Sequence, residues 1–137
     1  MRVVADTNVL ISATFWNGDS HTIIEMVERK ELTLLLSKSI LEEFSEVLNS
    51  EEIQEKIIDK NLVLKRSVER IMSLSEIVEP SKHFSIIQND PDDDTFLDCA
   101  IEGNAEFIIT QDHHLLNLKE FKGIKIVTPS DFLHSLV

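Results

Sequence analysis

Three times in this chain a short, unbroken apolar run gives way abruptly to polar residues and then to a stretch with helical spacing. Val3-Val4-Ala5 runs into Asp6-Thr7-Asn8, Leu32 to Leu36 into Ser37, and Phe107-Ile108-Ile109 into Thr110-Gln111-Asp112. A strand that is apolar throughout is buried on both faces, and the helix after it carries the chain back to a parallel neighbour. Repetition of that unit predicts a central parallel sheet with helices on each side, a three-layer α/β/α sandwich. Gly123 followed by Ile124-Lys125-Ile126-Val127 reads as a further strand, Glu76-Ile77-Val78-Glu79 closed by Pro80 as one more, and Pro129-Ser130-Asp131 opens a short terminal helix. Helical spacing covers about Ser20 to Lys30, Ser39 to Asn49, Glu51 to Ile58, Asn61 to Leu74 and Pro91 to Glu102. In open sheets of this kind ligands sit beyond the carboxyl ends of the strands, where Asp6 and Asp112 fall.

Composition narrows the possibilities further. A chain of 137 residues, 42% of them hydrophobic and with only 3 Gly and 3 Pro, supports one core and is read as one domain over residues 1–137. The single Cys99 forms neither an intramolecular disulfide nor a Cys-rich zinc site, and Met1 to Asp6 lack a long apolar run, so a reducing cytoplasm is the expected setting. No stretch approaches the roughly 20 apolar residues a membrane span needs. The net charge of −12 opposes general adhesion to nucleic acid or anionic lipid, since such binding rests on many Lys and Arg contacts. A phosphate-bearing partner would have to be held locally or through bound cations.

Placement of the acids therefore carries the chemistry. Asp6 follows a buried strand and reads either as a cap for the next helix or as a carboxylate facing a site. The run Asp90-Pro91-Asp92-Asp93-Asp94 holds four acids, more than the one or two a helix start welcomes. Asp90 as cap and Pro91 as first helical residue account for two of its members. At about 100° per residue, Phe96, Leu97, Ala100 and Ile101 share one face, Asp93 projects from its middle, and Asp92 and Asp94 lie on its flanks. In the helix from Ser39, Glu43 borders the stripe of Ile40, Leu41, Phe44, Val47 and Leu48, and reads equally as a site acid or a surface acid. Asp6, Glu43, Asp93 and Asp112 can converge at one sheet edge. Four carboxylates there are not all ionised cheaply without cations, and hard oxygen ligands suit Mg²⁺ or Mn²⁺ in place of Zn²⁺. The reaction this favours is metal-assisted hydrolysis of a phosphate ester.

The stretches Val3-Val4-Ala5-Asp6-Thr7-Asn8-Val9-Leu10, Ser39-Ile40-Leu41-Glu42-Glu43-Phe44, Asp90-Pro91-Asp92-Asp93-Asp94-Thr95-Phe96-Leu97 and Ile108-Ile109-Thr110-Gln111-Asp112-His113-His114-Leu115-Leu116 together resemble the ordered motifs of PIN domains. They are most similar to prokaryotic PIN proteins of the VapC kind, toxins of toxin-antitoxin systems, and the likeness spans nearly the whole chain. The resemblance implies a Mg²⁺- or Mn²⁺-dependent endoribonuclease whose acidic quartet is Asp6, Glu43, Asp93 and Asp112. It also implies supporting polar roles for Asn8 and Thr110, a homodimer, and an antitoxin protein whose tail lies in the active-site groove. His114 stands where relatives often carry a further acid. Asp94 stands where many have Asn, and is a candidate substitute ligand.

Other residues read more plainly. Cys99 is expected as a small buried hydrophobe, His21, His83 and His134 as surface residues, and His113 and His114 at most as substrate contacts. Phe15 and Trp16 are placed in a loop, where they would stack on an RNA base or, the preferred reading, cover an apolar edge or a dimer contact. Lys56, Lys60, Lys65, Arg66 and Arg70 form the only notable basic grouping. Two other classes compete with the nuclease: a non-catalytic PIN-like interaction module, and a receiver-type signalling domain, which needs an acceptor Asp ending its third strand. A DNA-cleaving flap-type nuclease would need further helices.

Overall fold

The computed structural model describes residues 1–55, 69–84 and 94–136. The chain opens with β1 (Arg2–Ala5), α1 (Thr7–Phe15), α2 (Asp19–Glu28), β2 (Thr33–Ser37), α3 (Lys38–Leu48) and the single turn α4 (Glu51–Gln54). Residues 69–74 are helical and lead into β3 (Ser75–Val78). After α5 (Asp94–Glu102) come β4 (Phe107–Ile109), α6 (His113–Leu116), β5 (Glu120–Phe121), β6 (Ile124–Val127) and α7 (Pro129–Ser135).

The six strands form one sheet in the order β3-β2-β1-β4-β6-β5, the middle layer of an α/β/α sandwich. Val3 and Val4 are wholly buried, as the unbroken apolar run requires of a central strand, and Val4 lies between Leu35 of β2 and Ile108 of β4. Every neighbouring pair is parallel except β5 with β6. The central parallel sheet is as expected, and the short strand β5 adds an antiparallel edge to it, beside β6. Lys122 and Gly123 join the two strands with φ values of 50° and 86°, the paired left-handed backbone of a tight two-residue hairpin turn.

The predicted strand at Glu76 to Glu79 is present one residue earlier, as β3. Of the predicted helices, the later part of the one from Glu51, the earlier part of the one from Asn61, and the start of the one from Pro91 lie outside the described residues. Phe15 and Trp16 are not in a loop: Phe15 ends α1 and Trp16 is its C-cap, the two rings meeting edge to face at 5.9 Å.

The core runs through α1, α3, α5 and the inner strands. In α3, Ile40, Phe44 and Leu48 are fully buried at the four-residue spacing that marks one helix face. Gly103, just after α5, lies against β2 so closely that a Cβ there would come within 2.5 Å of the Leu35 side chain. Leu35 is itself packed in the core, so it has little room to yield. Gly103→Ala is expected to destabilise the domain by about 1–3 kcal/mol through overpacking; an unchanged melting temperature would show that the Leu35 side chain repacks freely.

Because β1, β2, β4 and β6 run in parallel, the helix starts that follow them share one edge of the sheet. Each is capped by a side chain the sequence supplies at the strand's end. Asp6 accepts from the Val9 N–H, Ser37 from Ile40, Asp112 from His114 and Thr128 from Asp131.

Candidate active site

Asp6 and Asp112 meet at the carboxyl edge between β1 and β4. Thr110, fully buried at the end of β4, links them. Its hydroxyl donates to Asp6 Oδ2, and the same oxygen accepts from the Asp112 N–H at 2.9 Å. Asp6 Oδ1 accepts from the Val9 N–H at 2.8 Å, and Oδ2 also accepts from the Gln111 N–H at 3.3 Å. Asp6 is 4% exposed, and these three donors fix its orientation. One geometry thus both caps α1 and sets the Asp6 carboxylate at the carboxyl edge of the sheet.

Burial pushes the Asp6 carboxyl above its ordinary range. The bonds from Thr110, Val9 and Gln111 pull the other way, and the neighbouring Asp112 charge adds to the upward push. Asp112 is more open: it accepts from the His114 N–H at 2.7 Å, and the His114 imidazole stands 3.7 Å from the same oxygen. His114, the departure from the family pattern noted in the sequence, thus sits beside Asp112.

Of the remaining predicted acids, Glu43 lies within the described residues. Glu43, partly exposed on α3, lines a cleft of about 240 Å³ with Ser39, Glu42, Glu46 and Thr95. This cleft places Glu43 opposite the first turn of α5, whose leading residue Asp94 is 7% exposed. Asn8 is exposed in the first turn of α1. Asp93 lies outside the described residues. Among the described residues, no three of His, Cys, Asp and Glu stand close enough together to hold a metal ion. The donors that do come together, Asp6 and Asp112, are hard carboxylate oxygens, which fit Mg²⁺ or Mn²⁺ in kind.

Asp98 is a buried carboxylate that sequence reasoning missed. It lies one turn beyond Asp94 on α5 and is 6% exposed. The segment that follows β3 crosses it: Asp98 Oδ1 accepts from the Phe84 N–H at 2.8 Å, and Oδ2 pairs with His83 Nδ1 at 3.1 Å. Glu102, a turn later, accepts from the Ser81 N–H at 2.8 Å. Phe84 then packs edge to face on Phe121 of β5, with Lys122 over both rings. The adjacent Cys99 is fully buried, and burial pushes its thiol up to about 12, so it stays protonated and unreactive. In the basic grouping, Arg70 is taken up by an ion pair with Glu28, and Lys56, Lys60, Lys65 and Arg66 lie outside the described residues.

The site is therefore that of an open α/β domain with carboxylates gathered at the ends of its central parallel strands. A PIN-domain family profile matches residues 2–114, and the chain belongs to the PIN-domain family. Its fold is similar to that in the crystal structure of VapBC2 from Rickettsia felis bound to a DNA fragment from their promoter, with a TM-score of 0.63 at 16% identity, covering 92% of this chain and 97% of that one. It is also similar to PAE2754 from Pyrobaculum aerophilum, with a TM-score of 0.62 at 15% identity, covering 98% of this chain and 88% of that one. No curated protein sequence matches the chain. The receiver-type reading has no support in the fold, since β3 ends at Val78 and is followed by Glu79 and Pro80, with no acceptor Asp.

Proposed function

We propose that this chain is a divalent-cation-dependent endoribonuclease, the toxin of a toxin-antitoxin pair. PIN domains are in general nucleases, which supports hydrolysis of a phosphodiester as the reaction class. The observation that carries the reading is the Asp6–Thr110–Asp112 arrangement. It holds a carboxylate in a dry environment, beside a second carboxylate, at a cost that a bound cation would offset.

In this reading Asp6, Glu43, Asp93 and Asp112 hold Mg²⁺ or Mn²⁺, and Asp94 is a further candidate ligand. When bound, such an ion supplies positive charge for the phosphodiester oxygens and makes a coordinated water more acidic. The chain's own residues do the positioning. Val9 and Gln111 fix the Asp6 carboxylate through their N–H groups, and Thr110 sets its spacing from Asp112 through one shared hydroxyl oxygen. Asn8 is proposed as a polar contact for water or substrate at the mouth of the site. The acidic balance of −12 is then no obstacle to RNA, because the phosphate is met by the cation and not by a basic surface.

The similarity to VapBC2 supports an antitoxin protein as partner, and a homodimer is proposed on the same family likeness. A cytoplasmic setting is proposed along with the RNA substrate; among the described residues no helix is long and apolar enough to cross a membrane. The test is cleavage of a single-stranded RNA oligonucleotide by the purified chain. Cleavage in Mn²⁺ or Mg²⁺ that stops on adding EDTA is the expected result. Equal cleavage in EDTA would remove the cation from the reaction, and failure with every divalent ion would favour the non-catalytic interaction module.

A further inference from the structure

The Glu43 cleft does not end at the acids. Ser39 and Thr95 line it and also line a second hollow of about 250 Å³, so the two adjoin. The second hollow has apolar walls from Ile77, Val78 and Pro80, with Ile77 half exposed although it is an isoleucine on the edge strand β3. Its rim carries the Lys38 ammonium, 4.0 Å from Glu42 Oε1, together with the His83 imidazole and the Glu79 carboxylate. The other carboxylate there, Asp98, is already engaged by Phe84 and His83. One ammonium, an imidazole and the hydroxyls of Ser37, Ser39 and Thr95 thus line an apolar hollow beside the cleft of Glu43.

His83 is the unusual member. Its side chain is 78% exposed, yet a buried carboxylate grips Nδ1 and so fixes the ring's position. With Nδ1 held by Asp98, Nε2 remains as the ring's outward hydrogen-bonding atom. An anchored flat ring, an exposed isoleucine and a proline around a small hollow match the shape and faces of a nucleobase, which stacks on flat or apolar surfaces and hydrogen-bonds at its edge. The ammonium of Lys38 at the same rim matches a backbone phosphate.

The geometry points to a base-binding subsite for single-stranded RNA, in which a nucleotide flanking the scissile phosphate lodges between His83, Ile77 and Pro80. The subsite rests on the ribonuclease reading for its role in specificity, whereas binding of RNA to it can be measured without any cleavage. His83 acts here as a specificity residue and takes no part in bond breaking.

The experiment follows the His83 ring and Ile77 methyl signals by NMR while the wild-type chain is titrated with hexaadenylate and hexauridylate in EDTA. Cleavage of the same oligonucleotides in Mn²⁺ is measured in parallel. Saturable movement of both signals is expected, larger for one oligonucleotide than the other. His83→Ala and Ile77→Ala are expected to raise KM roughly tenfold at unchanged kcat, as loss of one stacking contact would. Stationary signals with normal cleavage would overturn the subsite and leave the nuclease standing. Moving signals without cleavage in any divalent ion would keep the subsite and overturn the nuclease. Movement caused by an arginine-containing octapeptide but not by RNA would assign the hollow to a protein partner and overturn the inference.

Discussion

Asp6→Asn is expected to reduce RNA cleavage by on the order of 10²-fold or more while making the cation-free protein more resistant to heat at neutral pH. The two effects have one cause. Asparagine keeps an oxygen for the Val9 N–H and can donate to the Thr110 hydroxyl oxygen, so the cap survives, while the long 3.3 Å bond from the Gln111 N–H is given up. What disappears is a charge that burial and Asp112 both oppose. The sign follows from linkage: a carboxyl whose folded-state pKa lies above its unfolded value makes the folded state bind more protons between the two values. Stability due to Asp6 is thus fully present below the unfolded pKa and is lost as pH rises through the folded one. The wild type should lose melting temperature over that interval, and Asp6→Asn should lose less. Adding Mn²⁺ at neutral pH should restore the wild type and leave the variant nearly unmoved. Thermal melts across pH, with and without Mn²⁺, check this; a variant that melts lower than wild type at neutral pH without cations would show that Asp6 serves mainly as a cap.

Phe44→Ala is expected to cost about 3–5 kcal/mol, a large share of the total stability of a domain this size. Phe44 is fully buried on the face of α3 that packs into the core, and Glu43 is its immediate neighbour. Burial of Phe44, Ile40 and Leu48 sets the rotation of α3 and thereby turns Glu43 toward Thr95 across the cleft. Truncation should therefore lower both the urea midpoint and activity, whereas Glu43→Gln should leave the midpoint in place and remove activity alone. Urea unfolding of both variants checks it. A Phe44→Ala midpoint within error of wild type would mean that α3 is held by contacts other than its apolar stripe.

Strands β1, β2, β4 and β6 were legible because each is a short, mainly apolar run ended or followed by a capping residue, and both features are local. Asp6, Ser37 and Asp112 announce helix starts by residue type alone, and their convergence follows from parallel topology. The β5–β6 hairpin was missed although Lys122-Gly123 between Phe121 and Ile124 is a turn signal, because β5 has only two residues and little apolar content. Asp98 was not legible for a different reason. Its burial comes from residues 81–84 crossing α5, and a helix's own periodicity cannot report what another segment lays over it. The same holds for Glu43: spacing placed it at the border of a stripe, and only the packing of α3 beside α5 decides that the border faces a cleft. Asp94 shows the converse, since a position on the flank of an apolar face is nonetheless 7% exposed once α5 is seated against the sheet.

The central claim is that carboxylates from separate strands and helices share one divalent ion. Anomalous diffraction from crystals soaked in Mn²⁺ tests it most directly. The account predicts a peak within bonding distance of Asp6 and Asp112, with Glu43 or the acids opening α5 completing its shell. Mn²⁺ density absent from that edge, in crystals of a protein that still cleaves RNA, would contradict it.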